Sequence, residues 1–246
     1  MKFVFDLDGT ICFRGQPLSQ VIVQALDKLT HQGHEVIFAS ARPIRDLLPV
    51  LPLHMHTYPM IGGNGAFVAK DKNIISTVHF EEEVKNHILS IIESHSLNYL
   101  IDSEWDYAFT GCEDHPIRRN VDPEKRARRI PLAAMNIIVK IVLLEIPDYH
   151  LIMDKLSLLP VVVHEHGNEG ILDISPMGVD KWSGLMKLGL EDQTYIAFGN
   201  DANDITMFQH AHASVMIGYH QDLEHFATEL IPADECLISE RLLAFL

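Results

Sequence analysis

Short apolar runs and amphipathic stretches alternate along the first third of the chain. Residues 2–6 form an apolar run of strand length that ends in polar residues, and residues 35–40 form a second run of this kind. Between them, apolar residues recur at helical spacing after Ser19, a suitable N-cap, and Gly33 ends the stretch. Residues 58–69 continue as a strand interrupted by glycines. This order predicts a parallel sheet covered by helices.

The alternation stops near residue 80 and resumes after Lys181. The segment between begins with a helical pattern at 81–95 and includes a basic stretch at 118–129 and an apolar run at 136–146. Strand patterns follow at 161–166, 171–175, 195–199 and 214–217. We therefore predict a discontinuous core, residues 1–80 and 167–246, with an inserted domain at 81–166.

Acidic residues outnumber basic ones, and this narrows the range of partners. The 246 residues include 34 Asp and Glu against 19 Lys and Arg, a formal net charge of −15. Such a surface repels nucleic acid and anionic membranes, so we expect neither as a partner. A phosphate site would have to be built locally, from metal, Lys, Arg and backbone N–H groups. The longest apolar run, 137–146, is too short for the roughly 20 residues that span a bilayer.

The cysteines indicate a reducing compartment. Cys12, Cys112 and Cys236 are far apart and odd in number, and no C-x-x-C pair occurs. A disulfide framework or a zinc ribbon is therefore not indicated. The first residues also lack the layout of a signal peptide. We expect a cytoplasmic protein.

The first predicted strand ends in two carboxylates, Asp6 and Asp8, followed by Gly9 and Thr10. Carboxylates this close repel each other, so the pair needs a cation or a shared proton. Mg²⁺, which takes oxygen ligands, supplies the first option. The alternative is an Asx-type turn without chemistry. Because parallel α/β sheets bind ligands beyond the carboxyl ends of their strands, this position favours a site.

Three further segments complement the carboxylate pair. Ser40 to Arg42 follow the second strand, where a hydroxyl and helix-start N–H groups can cradle phosphate, although Ser there is more often a plain N-cap. Lys181 opens a helix, and its ammonium can neutralise a phosphoryl oxygen together with a nucleophile. Residues 199–204, at the end of the predicted strand at 195–199, include two asparagines and two aspartates.

Together these segments resemble the four signatures of the haloacid dehalogenase-like hydrolases. Residues 6–10 match the first signature, Ser40 the second, Lys181 the third and residues 199–204 the fourth. The long insertion and the glycine-rich loop at 62–66 resemble the Cof-type subfamily with a type II cap. The resemblance implies an α/β fold: a Rossmann-like parallel sheet core with an inserted α+β cap domain.

Two positions depart from the family pattern. The second signature usually reads Ser/Thr-Gly-Arg, and Ala41 replaces the glycine here. The fourth usually reads Gly-Asp-x-x-Asn-Asp, and Asn200 replaces the aspartate that usually binds metal. An amide oxygen can bind Mg²⁺ but carries no charge, and Asp201 could take its place.

The resemblance implies a magnesium-dependent phosphatase that forms an aspartyl-phosphate. Asp6 would be the nucleophile, Asp8 the general acid and base, and Lys181 the neutralising cation. The implied metal site comprises Asp6, Asp8, Asn200, Asp201 and Asp204. The implied phosphate-binding residues are Thr10, Ser40, Arg42, Asn64, Gly65 and Asn203. The expected partner is a small phosphorylated substrate, such as a sugar phosphate, for a monomer or weak homo-oligomer.

Other functions remain open. A phosphomutase would use the same Asp6 but return the phosphoryl group to its substrate. A non-catalytic phosphate-binding regulator is favoured only by Asn200. A receiver domain phosphorylated on aspartate is disfavoured by the insertion and by Asp8.

Two features of the insertion allow a functional and a structural interpretation. Residues 118–129 carry six basic and two acidic residues, which would either steer anions or form a solvated helix face after Pro123. His164 and His166 share one strand face, as metal ligands can, but no third ligand is evident. A surface position is the better prediction for these histidines.

Overall fold

The structure, a computed structural model, describes residues 1–165 and 170–246. These residues form two compact units. The core unit comprises residues 1–76 and 180–246, and the inserted unit comprises residues 77–179. The predicted first junction, at 80, lies near the observed one. The predicted second junction, at 166/167, falls on residues outside those described, and the chain returns to the core unit only at Asp180.

The first part of the core unit confirms the predicted strand–helix order. Its elements are β1 (Lys2–Phe5), α1 (Gln20–His31), β2 (Glu35–Ala39), α2 (Ile44–Leu47), β3 (Met60–Gly62), β4 (Phe67–Lys70) and β5 (Asn73–Thr77). Ser19 caps α1 by accepting a hydrogen bond from the Ile22 amide. The segment predicted as one interrupted strand at 58–69 is instead two antiparallel strands, because the chain turns at Gly63–Gly65.

The inserted unit is built on an antiparallel sheet. Its elements are α3 (Glu82–Ser94), β6 (Asn98–Asp102), β7 (Tyr107–Phe109), α4 (Pro116–Asn120), β8 (Lys140–Leu144), α5 (Tyr149–Leu156), β9 (Val161–Glu165) and β10 (Leu172–Pro176). The strand order is β7-β6-β8-β10-β9. Strand β10 pairs with both β8 and β9. For this reason the inserted unit extends beyond the predicted end of the insertion.

The returning chain completes the parallel sheet of the core unit. Its elements are α6 (Lys181–Lys187), β11 (Tyr195–Gly199), α7 (Ile205–Gln209), β12 (Ala213–Ile217), α8 (Gln221–Glu224), β13 (Glu229–Ile231) and α9 (Glu235–Leu243). The strand order is β13-β12-β11-β1-β2-β3-β4-β5. Strands β1 and β2 are parallel neighbours, as are β1 and β11, so the residues that follow these strands lie at one edge. The predicted α/β fold class is confirmed.

The basic stretch of the inserted unit forms local ion pairs. Both Arg118 and Arg129 pair with Glu113. Arg126 pairs with Glu124, and Arg128 pairs with Asp106. The helix here begins at Pro116 and ends at Asn120, so the helix predicted after Pro123 is wrong. Steering of anions by this stretch stays a hypothesis.

Two further predictions concern the histidines and the membrane. His164 lies on β9, whereas His166 lies outside the described residues. Within 1–165 and 170–246, helices long and apolar enough to cross a membrane do not occur.

Candidate active site

A buried lysine joins two strand ends of the core unit. The Lys181 ammonium donates to Asp6 Oδ1 and to Asp204 Oδ1, each at 2.6 Å. All three side chains are buried, with Lys181 and Asp204 fully so. Asp6 follows β1, Asp204 lies in the turn after β11, and Lys181 is the first residue of α6. Residues that are far apart in sequence therefore meet at the carboxyl edge of the sheet.

Local hydrogen bonds fix the start of α6, and with it the lysine. The Asp180 side chain accepts from the Ser183 amide at 2.7 Å, and the Ser183 hydroxyl accepts from the Asp180 amide at 3.0 Å. This reciprocal capping holds the first helical turn rigid. Sequence inspection identified Lys181 but not the residues that position it.

Burial and neighbouring charges shift the acidity of this cluster. Burial raises the pKa of Asp6 to about 7, and the Lys181 ammonium opposes this shift. Burial lowers the pKa of Lys181, but Asp204 and Asp6 outweigh burial and raise it overall. The lysine therefore stays charged, and it favours the ionised carboxylate that a nucleophile requires.

The second carboxylate of the pair is held by an arginine. Arg42 donates to Asp8 through Nε at 2.7 Å and through Nη2 at 2.5 Å, a two-point contact. Burial lowers the pKa of Arg42, but the hydrogen bonds to Asp8 raise it overall. Asp8 remains about half exposed, with 47% side-chain exposure, so it can reach a ligand. Sequence inspection predicted Arg42 as a phosphate contact and gave no sign of its pairing with Asp8.

Asn200 completes an oxygen-rich cluster around Asp6. Its side-chain oxygen lies 2.9 Å from Thr10 Oγ1, and exchanging the oxygen and nitrogen of the amide would let the nitrogen donate to the Asp8 carbonyl oxygen and to Asp6 Oδ2. Thr10 donates its hydroxyl to Asp6 Oδ2 at 2.9 Å. The tight turn depends on Gly9, whose φ is +83° and where a Cβ would collide with the Asn200 amide.

The other two acidic residues predicted as metal ligands have different partners. Asp204 uses Oδ2 to accept from the backbone amides of Asn200 and Asp201, at 2.8 and 3.1 Å. Asp201 accepts from the Ala202 amide and lies 3.3 Å from His220 Nε2. Both residues thus order the turn after β11, and the cluster around Asp6 and Asp8 does not include the Asp201 side chain. The partner of Asp201 was missed, because no local pattern connects it to His220.

The predicted phosphate-binding residues lie on the turns that follow four neighbouring strands, β11, β1, β2 and β3. Ser40 is buried after β2, and its hydroxyl accepts from the Arg42 amide at 3.1 Å. Asn64, in the left-handed region at φ 56°, accepts from Asn203 Nδ2 at 3.1 Å. That bond ties the turn after β3 to the turn after β11. At Gly65, φ is +113° and a Cβ would collide with the Asp180 carbonyl, so only glycine fits.

The chemistry of the cluster suits a hard divalent cation. Asp6 offers a carboxylate oxygen, Asp8 a backbone carbonyl and Asn200 an amide, and such oxygens are the ligands of Mg²⁺. Among the described residues, groups of three or more His, Cys, Asp or Glu side chains that could hold a metal do not occur. A cation site that combines carboxylate, carbonyl and amide oxygens does not need such a group of side chains. Thiolate chemistry is disfavoured, because burial raises the pKa of Cys12 to about 12.

Sequence comparison finds a family model and two curated relatives that cover most of this chain. The sequence model of the haloacid dehalogenase-like hydrolases matches residues 3–232. Phosphoglycolate phosphatase of Nitrosopumilus maritimus is 26% identical over 225 residues, which are 89% of this chain and 84% of that protein. The 5-amino-6-(5-phospho-D-ribitylamino)uracil phosphatase of Bacillus subtilis is 24% identical over 231 residues, which are 87% of this chain and 84% of that protein.

A solved structure shares the fold over almost the whole chain. It is that of a HAD subclass IIB sugar phosphatase, with a TM-score of 0.79 and 17% identity, covering 99% of this chain and 98% of that one. At this identity the likeness concerns the fold alone. The resemblance predicted from the four signatures, and the Cof-type assignment with it, are confirmed. The chain therefore belongs to the haloacid dehalogenase-like hydrolase family, as one of its phosphatases.

Proposed function

We propose that the protein hydrolyses a small phosphorylated metabolite through an aspartyl-phosphate on Asp6. The observation that carries this proposal is the 2.6 Å contact between the buried Lys181 ammonium and the Asp6 carboxylate at the end of β1. A lysine in this position favours the ionised carboxylate over the protonated form and offsets charge on an incoming phosphoryl group.

The proposed reaction has two steps. In the first, an Asp6 oxygen forms a bond to phosphorus while the bond from phosphorus to the leaving oxygen breaks, and Asp8 protonates that oxygen. In the second, Asp8 takes a proton from a water molecule while the water oxygen forms a bond to phosphorus and the bond from phosphorus to Asp6 breaks. This releases inorganic phosphate and restores Asp6. Asp8 must leave its two-point contact with Arg42 to act as an acid.

We further propose that Mg²⁺ is the cofactor. Asp6, the Asp8 carbonyl and Asn200 would hold it, with Asp204 positioning Asn200 through the backbone amide at 2.8 Å. When bound, the ion supplies charge neutralisation for the phosphoryl oxygens. Asp201, predicted as a further ligand, is better placed to order the turn.

The remaining polar groups would bind and orient the phosphoryl group. Ser40 and Asn203 lie on turns beside Asp6 in the sheet order, and Thr10 fixes the orientation of its carboxylate. Asn64 and Gly65 would shape the edge of the site, because Asn64 holds Asn203 in place. Arg42 would position Asp8 and could contact substrate oxygen after releasing it.

The substrate class is a small organic phosphate such as a sugar phosphate. Support comes from the two curated relatives, whose names both describe phosphatases of small phosphorylated compounds. The net charge of −15 disfavours nucleic acid and anionic membranes as partners. We infer a cytoplasmic monomer or weak homo-oligomer, in line with the unpaired cysteines of the sequence.

The test is magnesium-dependent release of phosphate from p-nitrophenyl phosphate by the wild type and by the Asp6→Asn variant. We expect activity in the wild type that disappears with EDTA and in Asp6→Asn. A folded wild type that is inactive across pH and divalent metals would contradict the proposal. It would favour instead a non-catalytic phosphate-binding regulator, for which Asn200 is the supporting residue.

A phosphomutase would use the same nucleophile, and its products distinguish it. Phosphate release without an added bisphosphate activator supports hydrolysis. Transfer of the phosphoryl group to a second position of the substrate, with no free phosphate, would support the mutase.

A further inference from the structure

A cavity of about 510 Å³ lies in the inserted unit, beside α4. The residues that line it all fall within 107–127, so the cavity is formed by the inserted unit. Sites for small molecules commonly measure about 300–1,000 Å³, so this cavity has room for a metabolite. Its charged lining residues are Glu113, Arg118, Arg119, Asp122 and Lys125.

The two acidic residues of the lining already have partners within the inserted unit. Glu113 accepts from Arg118 Nε through one oxygen, at 3.1 Å, and from Arg129 Nη1 through the other, at 2.5 Å. Asp122 is buried, and its two oxygens accept from the backbone amides of residues 126–127, at 2.6 and 3.1 Å. Both oxygens of each carboxylate are therefore used to order the walls of the cavity.

Arg118 is held in place by groups that leave its charge in the cavity wall. Its Nη1 donates to the Val121 carbonyl at 3.2 Å, and its guanidinium carbon lies 5.8 Å from the ring centre of Tyr107. The single charge of Glu113 is shared with a second arginine, Arg129. These three residues together therefore keep a formal charge of +1, at a fixed position.

Arg119 and Lys125 add positive charge that the inserted unit does not balance. Both residues are exposed. The other four basic residues of 118–129 each pair with an acidic side chain, whereas within 1–165 and 170–246 the side chains of these two do not. Six basic residues against two acidic ones, in a chain of net charge −15, make this stretch the exception on an acidic surface. A cleft with such a local excess concentrates anions.

A tight turn fixes the backbone that carries Lys125. Its amide donates to the Asp122 carbonyl at 3.0 Å, and its φ of 53° lies in the left-handed region, which is unfavourable for a lysine. The hydrogen bonds to the Asp122 carboxylate hold the next two amides. The backbone at Lys125 is therefore fixed relative to the end of α4, where Arg119 lies.

We propose that this cavity binds a small organic anion with two or more carboxylate or phosphate groups. Arg119 and Lys125 bind one anionic group each, and Arg118 provides further positive charge in the wall. Arginine suits such groups because its guanidinium makes two-point contacts with their oxygens, and lysine adds a point charge. The ligand is small because the cavity is small and the rest of the acidic surface repels extended polyanions. This binding is a property of the inserted unit and does not rest on the proposed hydrolysis.

A tryptophan in the same segment allows binding to be observed directly. The Trp105 indole N–H donates to the Arg126 carbonyl at 2.9 Å, directly after Lys125 in the chain. The other tryptophan, Trp182, lies in the core unit. In protein labelled with ¹⁵N-tryptophan, the two indole signals are therefore assigned by the loss of one in Trp182→Phe.

The experiment titrates citrate and, separately, pyrophosphate into the labelled wild type in EDTA without Mg²⁺. We expect the Trp105 signal to shift and to saturate with at least one of them. Saturation with citrate alone identifies a carboxylate ligand, and saturation with pyrophosphate alone identifies a phosphate ligand. A Trp105 signal that does not shift, or shifts without saturating, with both anions would overturn the proposal, and this result needs no variant.

A double variant tests whether the two unbalanced cations bind the anion. Arg119→Gln/Lys125→Gln should weaken the affinity roughly tenfold or more, since hydrogen bonds to charged groups are lost. Because both side chains are exposed, its melting temperature should stay near that of the wild type. The matched control, Lys70→Gln/Lys72→Gln, removes the same charge from exposed positions of the core unit and should keep the wild-type affinity. Equal affinity in the two double variants would overturn the proposal.

Two further results separate this proposal from its alternatives. A short single-stranded oligonucleotide that shifts the Trp105 signal at lower concentrations than citrate and pyrophosphate would overturn it in favour of nucleic acid. Phosphate release from p-nitrophenyl phosphate tests the proposed function independently, because the titrations involve no turnover. An inactive protein that binds the anion keeps this proposal alone, and an active protein without anion binding keeps the proposed function alone.

Discussion

Each unit of the protein buries a lysine against aspartate, but in different surroundings. In the core unit, Lys181 bridges Asp6 and Asp204 on the turns that follow parallel strands. In the inserted unit, Lys140 on β8 pairs with Asp173 on β10 at 2.7 Å, within an antiparallel sheet. Both pairs are almost fully buried. Burial of charge therefore does not by itself distinguish an active site. The core cluster is the candidate because it lies at the carboxyl ends of parallel strands, where α/β sheets bind ligands.

The largest expected difference between the two clusters is in activity. Asp6→Asn should lower kcat by about four orders of magnitude or more, as loss of a nucleophile does in other enzymes. Asp173→Asn removes the equivalent partner in the inserted unit and should leave turnover of p-nitrophenyl phosphate within a few-fold of wild type. Steady-state kinetics on both variants measures kcat, and circular dichroism checks that both are folded. Similar losses in the two would mean that the clusters do not differ in function.

Loss of either lysine should lower stability to a similar extent. Lys181→Met and Lys140→Met each remove the lysine that pairs with a buried carboxylate, and each should reduce the free energy of unfolding by about 3–5 kcal/mol. Urea unfolding measures both. Adding Asp204→Asn to Lys181→Met should recover part of that stability but none of the activity. Activity that returned with stability would show that Lys181 is structural, like Lys140.

Two glycines sharpen the comparison of the backbones. Gly65 in the core unit has φ +113° and no room for a Cβ beside Asp180. Gly178 in the inserted unit has φ +75° and open space around it. Gly65→Ala should therefore cost about 3 kcal/mol, and Gly178→Ala about 1 kcal/mol. Thermal unfolding of both variants measures these costs. Equal losses of stability would mean that the backbone at Gly65 can move away from Asp180 without cost.

The smallest predicted effect concerns the arginine clamp on Asp8. Lysine cannot reproduce the two-point contact, so Arg42→Lys should lower kcat/KM by about tenfold. Arg128 makes a similar contact with Asp106 in the inserted unit, on an exposed surface. Arg128→Lys should leave both kinetics and melting temperature unchanged. The prediction for Arg42 is wrong if its variant is as active as that of Arg128.

Candidate site residues could be predicted from the sequence where a local pattern marks their position. Asp6, Ser40 and Lys181 lie at strand ends or at a helix start, and such positions are visible as the end of an apolar run. Asn200 was identified as a departure from a family pattern. The alternation of strands also predicted the parallel sheet, since it depends on period and length rather than on distant contacts.

Contacts between distant residues were not predictable in this way. The clamp of Arg42 on Asp8 and the contact of His220 with Asp201 depend on how turns from different strands meet. The end of the inserted unit was missed because β10 pairs with β8 and β9, and its apolar pattern suits either sheet. Propensity does not choose between such partners.

The order of the central strands has a consequence for synthesis on the ribosome. Strand β1 lies between β2 and β11, and Asp6 and Lys181 are 175 residues apart in the chain. One edge of β1 therefore stays unpaired until β11 has left the exit tunnel. The inserted unit, which is one continuous segment, can fold during that interval. Asp6, the proposed nucleophile, is made before Lys181 and β11, and it would thus reach its final surroundings only after both have been made.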